Sequence, residues 1–260
     1  SLVDLSHEYD GLIVGSDQVW NLHKSPEPGF FLDCPIHDRC RRLAYAACFG
    51  QEDSPPDRIK QVAPAIGKFQ AITVRNETSQ RVLLRDFNRH AEVAADPTLL
   101  VDLSDLAEDR LINPKYIYAF STTISNRPIV EQAIVAMRGI DRTPIVTSAM
   151  TWAPCGARHT ISGAGPQQWL SLVRHAEFMF TDSFHGMVFA IKHRVPFAVC
   201  YNGNTSARMA DLLSYLGLAG RISNDPSPSW IRPLLDTAPD WDQVHHRIDE
   251  LRKHSLLLLS

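Results

Sequence analysis

Apolar positions along the 260-residue chain alternate between short continuous runs and stretches spaced at three and four residues. This is the rhythm of buried parallel strands separated by covering helices. The runs at 9–14 (YDGLIV), 43–48 (LAYAAC) and 71–74 (AITV) read as strands, the first almost at the N-terminus. A helix is predicted over 78–88. Residues 92–94 then lead into Asp96-Pro97, where the proline closes a strand and opens a turn. A second series begins after Asn113-Pro114. Its predicted strands are 116–120, 145–148, 177–181 and 197–201, and its helices 129–138, 167–175 and 184–193. Phe184, Met187, Val188 and Ile191 fall at i, i+3, i+4 and i+7 and so share one helical face. A helix over 206–216 ends at Gly217. Residues 223–229 (SNDPSPS) form a polar, proline-rich connector, and Trp241, Val244, Ile248 and Leu251 mark a terminal amphipathic helix.

This pattern predicts an α/β protein of two Rossmann-like lobes with parallel sheets, parted between Leu103 and Pro114. The expected division is a first lobe over 1–112, a second over 113–240 and a terminal helix over 241–260. Open α/β sheets bind ligands beyond the carboxyl ends of their strands. A crevice between facing lobes is therefore the expected site.

Composition narrows the partners. With 26 basic and 29 acidic residues in mixed order, the chain carries no basic stripe of the kind that binds nucleic acid. No apolar run approaches the roughly 18–20 residues that cross a bilayer. The first residues lack the charged and apolar regions of a signal peptide. They also lack an initiator Met, and the natural N-terminus is expected upstream, with the first lobe incomplete. The five cysteines (Cys34, Cys40, Cys48, Cys155, Cys200) form no C-x-x-C pair, which favours reduced thiols in a cytoplasm over a disulfide framework or a zinc site. A lone cysteine is more often a small buried hydrophobe than a nucleophile. Phosphate-loop, nucleophile-elbow and dinucleotide fingerprints are all missing. His245-His246, adjacent on a helix, point to different faces, so no metal is expected.

The segment 181–186 (TDSFHG) carries most of the candidate chemistry, because there a buried strand gives way to a helix. Asp182 or Ser183 can cap that helix, leaving first-turn N–H groups to attract phosphate or carboxylate. His185 could donate to such an anion or act as an acid, or simply pack at the helix end. Gly186 permits close approach of a ligand or of a neighbouring element.

Here the chain resembles the polysaccharide pyruvyltransferase family. TDSFHGMVFAIKHRVPFAV is similar to the family's C-terminal signature. DGLIVGSDQVWN at 10–21 looks like its first-lobe strand and G-S-D-x-x-W-N loop. VRNETS at 74–79 with DPT at 96–98 resembles its V-R-E-x-x-S and D-P-T pair, and GPQQWL at 165–170 its second-lobe helix start. Ser206-Ala207-Arg208, with Gly217-Leu218 and Arg221, matches its closing segment.

The resemblance implies a fold like that of GT-B glycosyltransferases. It also implies transfer of the enolpyruvyl group of phosphoenolpyruvate onto a sugar of a lipid- or nucleotide-linked glycan precursor. Phosphoenolpyruvate is then a co-substrate, no cofactor is needed, and membrane association is peripheral, through the substrate. Donor binding falls to Arg75, Ser183, His185, Gly186 and Arg208, and acceptor binding to Asp17, Trp20 and Asn21. Asp17 is the candidate base and His185 the candidate acid. Asp17 could instead close an Asx turn, and Trp20 could pack the lobe rather than stack on a sugar. Ser183 departs from the family's arginine, since a hydroxyl lacks a guanidinium's bidentate grip. Arg75→Ala and His185→Ala are each expected to weaken donor binding without unfolding the protein. The competing readings are a nucleotide-sugar glycosyltransferase and a non-catalytic glycan- or partner-binding remnant.

Overall fold

The structure, a computed structural model, describes residues 1–107, 109–113, 115–122, 124–138, 144–149, 157–201 and 207–260. Ser206, Pro114 and Cys155 lie outside the described residues. The chain divides into two compact units, Ser1–Leu100 with Asp249–Ser260, and Val101–Ile248.

The first unit carries a parallel sheet in the order β1 (Gly11–Val14), β2 (Arg41–Ala47), β3 (Ala71–Val74), β4 (Glu92–Val93). Helices α2 (Pro56–Ile66) and α3 (Glu77–Phe87) connect these strands, and the short α4 (Pro97–Leu100) follows β4. Its core gathers Trp20, Phe31, Phe49 and Phe69 with Val62, Ile66, Val82 and Leu83 from α2 and α3. Before β1 lies α1 (Leu2–Glu8), where the sequence pattern anticipated no helix. Ser1 caps it by accepting from the Asp4 N–H, while the Asp4 carboxylate reaches back to the terminal ammonium.

The second unit holds a six-stranded parallel sheet. Its strands are β5 (Ile117–Phe120), β6 (Ile145–Ala149), β7 (His159–Ser162), β8 (Phe178–Thr181), β9 (Phe197–Cys200) and β10 (Ile222–Ser223). The spatial order is β10-β9-β8-β5-β6-β7, so the chain runs outward from β5 in one direction and then restarts at β8 in the other. Helices α5 (Arg127–Met137), α6 (Pro166–Arg174), α7 (Phe184–Lys192) and α8 (Ala207–Tyr215) link the strands. All four residues of β5, β8 and β9 are buried, as continuous apolar runs in a sheet covered on both faces require. Phe184, Met187, Val188 and Ile191 are buried on α7 as their spacing predicts, and so are Phe189 and Ala190, making the helix apolar nearly all round.

Other sequence expectations also differ from the structure. The connector 223–229 contains the end of β10 and the start of α9 (Pro228–Asp236), whose Pro228 sits in the first turn, where a missing N–H costs nothing. The unit boundary lies at 100/101 rather than at 112. Residues Val101, Ser104, Asp109 and Arg110 are pinned to α6, α7 and the turn between α6 and β8: Lys192 Nζ donates to the Val101 carbonyl, Arg174 to that of Ser104, Ser171 Oγ to that of Asp109, and Arg110 to that of His175. The closing helix α10 (Trp241–Leu257) is likewise shared between the units rather than separate.

Candidate active site

In the second unit the strand order reverses between β5 and β8, and ligand sites in open α/β sheets lie beyond the carboxyl ends of strands at such a point. The two strands end in register, Phe120 opposite Thr181. Residues 181–186 therefore leave the sheet at the switch point and open α7. Ser183 is the N-cap: its backbone is extended and its Oγ accepts from the Gly186 N–H at 3.2 Å. The Ser183 N–H donates in turn to Thr181 Oγ1. His185 lies half-buried on the first turn of α7. Arg208, near the start of α8, places its guanidinium carbon 6.0 Å from the centroid of the Phe184 ring, at the same helix start. Gly186 serves packing. A Cβ there would come 2.6 Å from Thr181 Oγ1 and 3.1 Å from Met179 Cε, so the glycine lets α7 press onto β8 rather than opening room for a ligand.

Asp182 is not a cap. Its carboxylate, 6% exposed, accepts from Ser121 Oγ at 2.7 Å, from the Thr122 N–H at 3.0 Å and from Asn126 Nδ2 at 2.8 Å. This cluster escaped sequence reading. The one signal for it was a run of short polar residues directly after β5, facing the strand with which β5 pairs.

In the first unit the expected donor-binding residue Arg75 follows β3, but its side chain is only 2% exposed. Nη1 donates to Asp96 Oδ2 and Nη2 to Asp17 Oδ1, each at 2.9 Å. Burial opposes its charge, yet the neighbouring acidic groups, Cys48, Asp96 and Asp17, hold its pKa above the ordinary arginine value. Asp96 also accepts from Thr98 N–H, Thr98 Oγ1 and Ser16 Oγ. The V-R and D-P-T segments are thus two halves of one buried network, and Arg75 is a strut within it rather than an open cation.

Asp17 stands on a left-handed turn, φ 60°, with its side chain 57% exposed and one oxygen held by Arg75. The preceding Gly15 is obligatory: φ is 126°, and a Cβ would lie 2.0 Å from the Tyr45 carbonyl oxygen. Trp20 is wholly buried among Phe31, Phe49 and Phe69, and its Nε1 donates to the Phe30 carbonyl, so it has no face to offer a sugar. Asn21 is also inward. Its Nδ2 donates to Gln18 Oε1 and its Oδ1 accepts from the His23 N–H, which makes it a turn-former rather than an acceptor ligand. The acceptor assignments of Trp20 and Asn21 are therefore withdrawn.

Of the described cysteines, Cys34 is partly exposed. Cys40, Cys48 and Cys200 are buried, and burial pushes the Cys200 thiol up to about 12. Among the described residues no group of three His, Cys, Asp or Glu side chains could hold a metal ion, and no helix is long and apolar enough to cross a membrane.

Residues 2–204 match the polysaccharide pyruvyl transferase family. The chain belongs to that family. No curated protein sequence matches the chain. Among solved structures it is similar to a UDP complex of MnaA from S. aureus, with a TM-score of 0.61 and 12% identity, covering 96% of this chain and 72% of that one. It is also similar to a UDP-N-acetylglucosamine 2-epimerase, with a TM-score of 0.57 and 13% identity, covering 98% and 76%. A mutant O-GlcNAc transferase of Thermobaculum terrenum gives 0.52 and 12%, covering 99% of this chain but 51% of its own. At such identities the likeness shows the fold alone: parallel-sheet α/β units of the kind found in GT-B glycosyltransferases and epimerases.

Proposed function

We propose that this protein moves the enolpyruvyl group of phosphoenolpyruvate onto a sugar of a glycan precursor and closes it into a ketal. The observation that carries this reading is the family segment 181–186, which forms the strand end and helix start at the switch point of the second sheet. Phosphoenolpyruvate carries a phosphate and a carboxylate, and a helix start attracts both through its N–H groups and dipole. Because Ser183 is spent on the cap, the charge must come from elsewhere. His185 and Arg208, at the same helix start, supply it.

Protonation of the methylene carbon, with His185 as the candidate acid, leaves an oxocarbenium-like centre at C2. A sugar hydroxyl attacks C2 and gives up its proton. The C–O bond to phosphate then breaks with its electron pair on the departing phosphate. The second hydroxyl adds at C2, losing its proton, and completes the ketal. For the hydroxyl proton the candidate base stays Asp17, whose side chain is 57% exposed. We assign the acceptor to a lipid- or nucleotide-linked sugar on the cytoplasmic side, with any membrane contact made through that substrate.

Calorimetric titration with phosphoenolpyruvate and, separately, with UDP-sugars tests the reading. Loss of a charge-assisted hydrogen bond lowers affinity about 10- to 150-fold, so His185→Ala and Arg208→Ala should each weaken phosphoenolpyruvate binding by that order and leave folding intact. Ser183→Arg should tighten phosphoenolpyruvate and leave UDP-sugars unaffected. Tight UDP-sugar binding with none for phosphoenolpyruvate would replace this reading with a glycosyltransferase.

A further inference from the structure

We propose that Asp182 is a positioning residue: it clamps the loop after β5 to the start of α7, making that loop the second wall of the donor site. The proposal rests on the functional reading above for the identity of the donor. Its structural half stands on geometry alone. Phe120 and Thr181 are the last register partners of β5 and β8, so Ser121 and Asp182 leave the sheet side by side. The buried carboxylate takes three hydrogen bonds from that one loop, from Ser121 Oγ, the Thr122 N–H and Asn126 Nδ2.

Asn126 shows what this arrangement displaces. It occupies the N-cap of α5, where an asparagine side chain ordinarily accepts from a first-turn N–H and stabilises the helix by about 1 kcal/mol. Here no side-chain cap bond forms, and the amide is turned to Asp182 instead. Asn126 also ends a 3-10 turn that runs straight into α5, with φ −87° and ψ 2°, so the loop held by Asp182 continues into that helix without a break. Asp182 also directly precedes the cap residue Ser183 and follows Thr181, whose Oγ1 holds the Ser183 N–H. A shift of residue 182 must therefore move the first turn of α7 and with it His185. Three donors around one carboxylate fix both the distance and the rotation of the two segments, which a single contact would not.

The test is a swap. Asp182→Asn puts an amide donor where Asn126 Nδ2 and Ser121 Oγ donate. Asn126→Asp sets two buried carboxylates against each other. The double variant restores one amide facing one carboxylate, with the roles exchanged. Hydrogen exchange of the loop amides, read in the free protein, should accelerate about tenfold or more in each single variant. It should return close to wild type in the double variant. The dissociation constant for phosphoenolpyruvate, measured well below the melting temperature, should rise about tenfold or more in each single variant and recover in the double.

Unchanged loop exchange in Asp182→Asn, or a double variant no better than the worse single, would remove the clamp. A loosened loop with unaltered phosphoenolpyruvate affinity would reduce Asp182 to scaffolding and overturn the positioning role. Wild-type protein that binds no phosphoenolpyruvate would overturn the functional reading and the donor half of this proposal, while the exchange data still decide the clamp.

Discussion

Replacing Arg75 by methionine separates a buried strut from a substrate ligand. The guanidinium is 2% exposed and bonds Asp96, itself 3% exposed, and Asp17. Removing one partner of a buried ion pair typically costs about 3–5 kcal/mol, because the other charge stays behind without compensation. Asp96 keeps its bonds from Thr98 and Ser16, which argues for the low end, roughly 3 kcal/mol. The pair with half-exposed Asp17 adds only about 0–1 kcal/mol. A unit formed by residues 1–100 and 249–260 should lose about 4 °C in melting temperature per kcal/mol, hence roughly 12 °C in all. Scanning calorimetry of Arg75→Met gives the number. Adding Asp96→Asn should restore a substantial part of it, since the orphaned charge is then gone. An Arg75→Met protein that melts within about 3 °C of wild type yet binds phosphoenolpyruvate far more weakly would refute the strut. It would also return Arg75 to the donor site, as sequence reasoning had it.

Two further perturbations follow from packing and burial. His193 is held neutral by burial, reinforced by Arg174 and Lys192, with its pKa lowered to about 4, and its Nε2 is buried with no hydrogen-bond partner among the described residues. The unfolded imidazole, titrating near 6.5, binds its proton first on acidification. This contribution to stability is therefore complete above about pH 6.5 and lost as pH falls toward 4. Melting temperature against pH should fall less steeply across that window in His193→Phe than in wild type, and identical slopes would exclude the effect. Gly186→Ala forces a Cβ to within 2.6 Å of Thr181 Oγ1, which is itself fixed by the Ser183 N–H. Overpacking of this kind costs about 1–3 kcal/mol. A melting temperature equal to wild type would mean that α7 can lift from β8 without penalty.

Most strands of the two sheets were legible because their pattern is unambiguous: the runs at 71–74 and 178–181 are continuous, largely apolar and bounded by turn residues. The start of helix α9 was hidden because Pro226 and Pro228 read as a connector, when Pro228 merely opens the helix. Strand β7 (HTIS) was missed because three of its four residues are exposed, leaving no apolar run to find. For the site, sequence reasoning found the helix start at Ser183 and His185 but assigned Arg75 outward. A charge after a strand carries no information about its partners until the second strand end is placed. Asp96 lies 21 residues away from Arg75, and only the parallel pairing of β3 with β4 brings them together. For Trp20 the packing alternative holds over stacking on a sugar, because Phe31, Phe49 and Phe69 surround the indole.

The same device recurs in the two units, and it explains why polar signature residues need not touch a substrate. Asp96 follows β4 and Asp182 follows β8, each just past the carboxyl end of its strand. Each is buried, and each collects donors from a different strand-end segment: Arg75 after β3 and Ser16 after β1 in one case, Ser121, Thr122 and Asn126 after β5 in the other. Parallel strands set their ends in register but leave the loops beyond them without ladder partners. A buried carboxylate ringed by donors replaces the missing ladder. It must be well satisfied, since an unpaired buried charge would cost several kcal/mol. Once satisfied, it fixes the loops more tightly than apolar contact, which tolerates sliding. Beside them the Asp17 carboxylate is exposed in one unit and His185 half-exposed in the other. The chemistry we assign to this protein needs few exposed groups held in place, and most of its recognisable sequence is spent on holding them.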